Sequence, residues 1–211
     1  MTIRVGEKSR TDSSGALPEG WDHDPPAEHK LTPFGVLNLL TGALMIIFGR
    51  AESSDFWGDC LRLWWEQTRV LFPKLKRVIM YLDNGPNNSG RRQQFLKRMI
   101  EFADWSGLEI VLAYYPPYHS KYNPIERCWS ALENKWSGTL LNSLEVVLAV
   151  ARRMTWLGRS PVIHQLDGQY PAGVKVSRQE WKKLQTRLER STTLPKYHII
   201  IRPNTTTPLV S

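Results

Sequence analysis

Cysteine is scarce in this sequence: Cys60 and Cys128 are the only two in 211 residues. Neither has a neighbour at metal-ligand spacing, which excludes a thiolate zinc site, and two isolated cysteines make a poor disulfide framework. Both fall in helical patterns, so the expectation is of buried small apolar residues in a reducing compartment. Long hydrophobic runs are missing as well. None, Ala43 to Phe48 included, approaches the ~20 residues a membrane-crossing helix needs. The opening Met1-Thr2-Ile3-Arg4-Val5 lacks the apolar stretch of a secretory leader. Negative charge is also in short supply, with 20 Asp+Glu against 28 Lys+Arg, a net charge of +8. That excess favours a polyanionic partner, nucleic acid first and an acidic membrane surface second. No internal repeat and no low-complexity tract is present. With 41% hydrophobic residues, the chain can bury the core of one domain and carry an appendage.

Several elements can be read from the residues. Thr2 to Gly6 alternates Ile3 and Val5 with polar neighbours, like the end of a strand. Glu7 to Lys30 is polar and rich in turn formers, an irregular loop. Asp22-His23-Asp24 lies inside it, but the spacing matches no ligand motif. Leu31–Leu40 and Ala43–Phe48 flank Thr41-Gly42 as a β-hairpin. Glu52 to Arg69 places Phe56, Trp57, Cys60, Leu61 and Trp64 at helical spacing, capped by Ser53 or Ser54. Arg77 to Asp83 reads as a buried strand, because Val78 to Leu82 is apolar throughout. Arg91 to Trp105 is an amphipathic helix stopped by Gly107, and Leu108 to Tyr115 a second apolar strand. Strand, helix, strand in this order implies a parallel crossover. Further helices start near Asn123 and, with a capping box at Asn142 and Glu145, near Ser143. Another box at Ser177 opens a basic helix with Trp181, Leu184 and Leu188 as its stripe. The tail from Pro195 to Ser211 reads as extended and then frayed.

Two carboxylates stand out by position. Asp83 ends a strand and opens the turn Asp83-Asn84-Gly85-Pro86-Asn87-Asn88, where open α/β sheets place ligands. A hairpin turn is the competing reading, but a polar lead into a helix follows instead of a second strand. Glu126 lies in the first turn of the helix that follows the next strand. Adjacent parallel strands bring their carboxyl ends together, which allows both acids to reach one ion. Hard oxygen ligands that leave room for water and phosphate suit Mg²⁺ or Mn²⁺. Asn123-Pro124-Ile125-Glu126 is also a complete helix start, with an N-cap, a proline at the first position and a glutamate at the third. That reading needs no chemistry.

The run Tyr114-Tyr115-Pro116-Pro117-Tyr118-His119-Ser120-Lys121-Tyr122-Asn123-Pro124-Ile125-Glu126-Arg127-Cys128-Trp129 resembles the third-carboxylate segment of DDE transposases. Pro-Pro-Tyr-x-x-x-Tyr-Asn-Pro-Ile-Glu is shared with the mariner-related branch of these insertion-sequence enzymes. Preceded by Leu82-Asp83-Asn84-Gly85-Pro86-Asn87-Asn88-Ser89, it resembles more closely the Rhodopirellula-type (ISAzo) transposase domain. The resemblance extends from about Ile3 to Arg202. It implies an α/β fold with a ribonuclease-H-like core, a mixed sheet of about five strands flanked by helices, over residues 1–158. A helical basic C-terminal extension over 159–211 would follow.

The activity implied is metal-dependent DNA strand cleavage and strand transfer, with Asp83 and Glu126 as catalytic acids and metal ligands to two Mg²⁺ or Mn²⁺ ions. The family's first Asp, followed by Thr-Lys, has no match here. The expectation is therefore an N-terminally truncated copy with an incomplete two-ion site, inactive alone. Its partners would be transposon ends, target DNA and further transposase copies, in a bacterial cytoplasm at the nucleoid. Candidate DNA contacts are Asn84, His119, Lys121, Arg91, Arg92 and Arg127, with Lys182 and Lys183 as further phosphate neutralisers. Two rivals are a non-catalytic DNA-binding or assembly fragment that interferes with a full-length transposase, and a junction resolvase of the same fold.

Overall fold

The computed structural model describes residues 31–116, 122–141 and 143–204. In chain order these form β1 (Thr32–Leu37), β2 (Leu44–Gly49), α1 (Ser54–Thr68), β3 (Arg77–Leu82), α2 (Gln93–Ser106) and β4 (Glu109–Tyr114). There follow α3 (Pro124–Trp136), α4 (Leu144–Arg152), β5 (Val162–Gln165), α5 (Arg178–Leu184), β6 (Leu188–Arg190) and β7 (His198–Ile201). The chain divides into two units. One joins residues up to Ala51 with Pro124–Asp167, and the other joins Glu52–Asn123 with Gly168–Ser211. The mixed α/β character is as expected, but the described strands make two mixed sheets rather than one of about five. β2 already has β1 and β5 on its two edges, and β4 has β3 and β7, so neither inner strand has an edge left.

In the first unit β1 and β2 form the expected hairpin, antiparallel with Leu37 opposite Leu44. Asn38 organises the turn, its Oδ1 accepting from the backbone N–H of Leu40 and Thr41. Gly42 takes a φ of 72° there, a left-handed conformation that favours glycine. β2 is buried along its length and pairs on its other side with β5, in parallel. β5 was not read from the sequence: at four residues it is too short to show a period. Leu44, Ile46 and Phe48 of β2 pack with Cys128, Leu132 and Trp136 of α3 and with Val147, Leu148 and Ala151 of α4. Trp129 lies over Gly35, where any side chain would collide with its ring. The cap of α4 falls one residue later than expected, with the Ser143 hydroxyl accepting from the Val146 N–H at 3.3 Å.

In the second unit β3 and β4 are parallel, in register from Arg77–Glu109 to Leu82–Tyr114. α2 packs against β4 and β7 and buries Phe95, Leu96, Met99, Ile100 and Ala103. Each large side chain so removed from water contributes about 1.5–3 kcal/mol. Gly107 ends α2 in the left-handed conformation, as expected. α1 is capped by Ser53 and turns Phe56, Cys60, Leu61 and Trp65 inward, so Trp65 rather than Trp64 is the core tryptophan. Arg98 of α2 holds α1 through Asp55 and Asp59, and the Tyr170 hydroxyl donates to Asp59 at 3.1 Å.

Two expectations are corrected in this unit. β3 is not a buried strand, because Ile79 and Tyr81 are about half exposed. Its residues alternate between exposed and half-buried, the pattern of a strand open on one face. The basic helix, expected to run past Leu188, ends at Leu184. A short 3-10 turn follows, and Leu188–Arg190 becomes a strand antiparallel to β7. β7 in turn pairs with β4, Ile199 opposite Leu112.

Candidate functional site

Asp83 is the first residue beyond β3, half-buried, where the chain leaves the sheet. The loop after it is held from three directions. Ser54, at the start of α1, donates its hydroxyl to the Asn87 carbonyl at 2.8 Å. Tyr114, the last residue of β4, donates to the Asn88 carbonyl at 2.9 Å in a buried setting. Arg190 of β6 donates to the Gly90 carbonyl at 2.8 Å. A side chain at Gly90 would crowd Ile199, Tyr114 and the Lys196 carbonyl. Burial pushes the Tyr114 hydroxyl well above its usual titration range, with the charge of Asp83 adding to the effect and Arg190 opposing it. The phenol therefore stays a donor.

Asn88 is only 2% exposed. Its side-chain amide donates to Asp83 Oδ1 at 2.7 Å, a charge-assisted bond that fixes the carboxylate plane. Its Oδ1 is buried with no hydrogen-bond partner. A Cβ built on Gly85 would lie 3.0 Å from Asn88 Oδ1 and 3.6 Å from Asp83 Oδ2. Glycine thus leaves a small space bordered by two oxygens. From the sequence Asn88 reads first as a turn former and only second as a contact to a metal shell or DNA phosphate. The clustering of three asparagines after the aspartate was the available signal, but only the fold shows which one turns inward.

Glu126 lies in the other unit, in the first turn of α3, and is half-buried. Pro124 opens the helix and Asn123 precedes it, buried at 8% exposure. The inward stripe Cys128, Leu132 and Trp136 fixes the rotation of α3. At about 100° per residue, Glu126 then falls on the flank of the helix. The Ser130 hydroxyl donates to its backbone carbonyl at 3.2 Å.

Of the other candidates, Asn84, Arg91, Arg92 and Arg127 are exposed. His119 and Lys121 lie outside the described residues, as do Asp22, His23 and Asp24. Lys182 and Lys183 are exposed on α5. Arg187 turns inward instead, onto both oxygens of Asp104 at 3.1 and 2.6 Å. Both cysteines are buried with thiols raised by burial, Cys128 to about 11. Among the described residues no group of three or more His, Cys, Asp or Glu side chains forms a ready metal cluster. No described helix is long and apolar enough to cross a membrane.

Comparison with known proteins places these residues in a family context. The Rhodopirellula transposase DDE domain family matches residues 4–203, a span holding both Asp83 and Glu126. No curated protein and no solved structure gives a match.

Proposed function

The chain belongs to the Rhodopirellula-type DDE transposase family, and from that premise we propose that it breaks and rejoins DNA phosphodiesters with Asp83 and Glu126 as its acidic pair. Transposase domains of this family act on DNA and depend on a divalent metal ion. In this reading the mixed α/β architecture is a ribonuclease-H-like core. The observation that carries it is Asp83 itself. It leaves a parallel strand pair at its carboxyl end, with one oxygen held by Asn88 and the other bordering the space above Gly85.

A hard divalent cation fits that donor set, since carboxylate and amide oxygens are the ligands Mg²⁺ and Mn²⁺ take. Asp83 would be a ligand to it, and Glu126 is the second carboxylate that the family resemblance assigns to metal binding. Bound there, the ion would supply an activated water or 3′-hydroxyl and charge relief on the leaving oxygen. The chain's own part is to orient and to neutralise. Asn88 keeps the Asp83 carboxylate in one plane. Arg91 and Arg92 follow in the same loop and, with Asn84, contact the DNA backbone. Arg127 does the same beside Glu126, and His119 and Lys121 are further phosphate contacts in the segment before it.

Nicking of supercoiled plasmid in Mn²⁺, compared among the unaltered protein, Asp83→Asn and Glu126→Gln, tests the reading. Nicking that either substitution abolishes supports it. Retained DNA binding with no nicking and no Mn²⁺ binding selects the non-catalytic fragment that poisons a full-length partner. Cleavage without joining of a 3′ end to new DNA selects a resolvase.

A further inference from the structure

We propose that Asn88 is a positioning residue with two working ends, its amide nitrogen fixing Asp83 and its amide oxygen serving the same divalent cation. The inference rests on the reading of Asp83 as a metal ligand and extends it to a residue outside the acidic pair.

An asparagine that only shapes a turn has its side chain satisfied by the turn's own backbone. Asn88 does something else. Its nitrogen is spent on Asp83 Oδ1 at 2.7 Å. Its oxygen is left buried with no partner, an arrangement that costs free energy unless something fills it. The backbone around it is meanwhile anchored by the Tyr114 and Ser54 hydroxyls, so the side chain has little room to turn away. That amide could satisfy its oxygen by flipping only at the expense of Asp83, because a flip would set oxygen against carboxylate.

The direction of the orphan oxygen is given by Gly85. Asn88 Oδ1 and Asp83 Oδ2 both lie within 3.6 Å of the point where a Cβ of that residue would stand. A neutral amide oxygen and a carboxylate oxygen bordering one small space make a mixed donor pair of the kind Mg²⁺ and Mn²⁺ accept, with water completing the shell. Gly85 carries no positive φ that would demand glycine. A Cβ there would press on Asn88 Oδ1 at 3.0 Å, so the bare Cα keeps the space beside both oxygens open.

The test is Mn²⁺ titration of the whole chain without DNA, followed by calorimetry and by the Mn²⁺ electron paramagnetic resonance spectrum, with melting curves in parallel. The unaltered protein should bind and Asp83→Asn should lose binding. Asn88→Ala should weaken binding by about 10–100-fold, the usual effect of removing a group that orients a metal ligand. Gly85→Ala keeps both oxygens and fills the space between them, and it should weaken binding by about tenfold. Asn88→Asp should melt lower than the unaltered protein without metal, because two carboxylates then face each other, and Mn²⁺ should restore its melting temperature. The inference is overturned if Asn88→Ala and Gly85→Ala bind Mn²⁺ as tightly as the unaltered protein while Asp83→Asn does not. Binding that survives Asp83→Asn, or no binding by the unaltered protein, removes instead the reading of Asp83 on which it rests.

Discussion

Tyr114 and Asn88 are joined by a hydrogen bond of 2.9 Å from a buried phenol to a backbone carbonyl, across the boundary between β4 and the loop that follows β3. Replacing the tyrosine by phenylalanine keeps the ring and removes only this donor. The Asn88 carbonyl is then left buried without it, at a cost of about 1–2 kcal/mol. Urea unfolding of Tyr114→Phe should show a lower midpoint at an unchanged slope.

Alkaline pH should destabilise the protein for a related reason. The titrations of Tyr114, Tyr170, Cys60 and Cys128 are all displaced upward, in each case first by burial. Unfolded thiols and phenols lose their protons at about pH 9 and 10, while the folded chain holds them longer. The folded state therefore binds more protons there, and its stability, complete below these values, falls as pH rises. Urea midpoints measured from pH 8 to 11 should decline, and less steeply in Tyr114→Phe above pH 10.

Thiol reactivity offers a separate check. Cys60 and Cys128 are buried and unpaired by any disulfide, so neither should react with a thiol reagent at pH 8 in the native protein. Both should react on denaturation. Rapid labelling of either in the folded chain would contradict the core packing around α1 or α3.

Gly42→Ala should cost about 1–2 kcal/mol, since it forces a left-handed backbone on a residue with a Cβ. That Cβ would also lie 2.8 Å from Leu157. Arg187→Ala should cost a similar amount, about 1–2 kcal/mol, by leaving the half-buried Asp104 carboxylate without its two-pronged partner. Thermal melts of the two variants would read these losses directly.

DNA affinity should fall with salt in proportion to the phosphates neutralised. Arg91→Ala and Arg92→Ala each should reduce the slope of log K against log salt by about one. Both residues are exposed, so the melting temperature should stay within the small range of surface changes. An unchanged slope would remove these two residues from the DNA contact surface.

Periodicity was enough for much of this architecture. Phe95, Leu96, Met99, Ile100 and Ala103 lie at helical spacing, and α2 buries them all. The hairpin, the cap at Ser53 and the parallel pairing of β3 with β4 were legible for the same local reasons. Burial was less so. Val78 to Leu82 is apolar on both faces, and no local pattern says that Ile79 and Tyr81 remain half exposed. The last strands failed differently. Trp181, Leu184 and Leu188 keep helical spacing, but Leu188 pairs with Ile201, and Arg187 and Arg190 are committed to Asp104 and Gly90. Tertiary partners so distant in sequence override local propensity. At the site Asp83 was legible from its place after a strand. For Asn88 the turn reading came first, because an inward-turned amide and an ordinary turn asparagine have the same letters around them.

The bond from Arg190 to the Gly90 carbonyl spans 100 residues of chain, and β7 sits between β4 and β6 in the sheet. A polypeptide still emerging from the ribosome therefore has its aspartate long before it has the arginine that closes the loop beyond it. Contacts of such separation form late. Until that arginine is made, the acid stands without its finished surroundings.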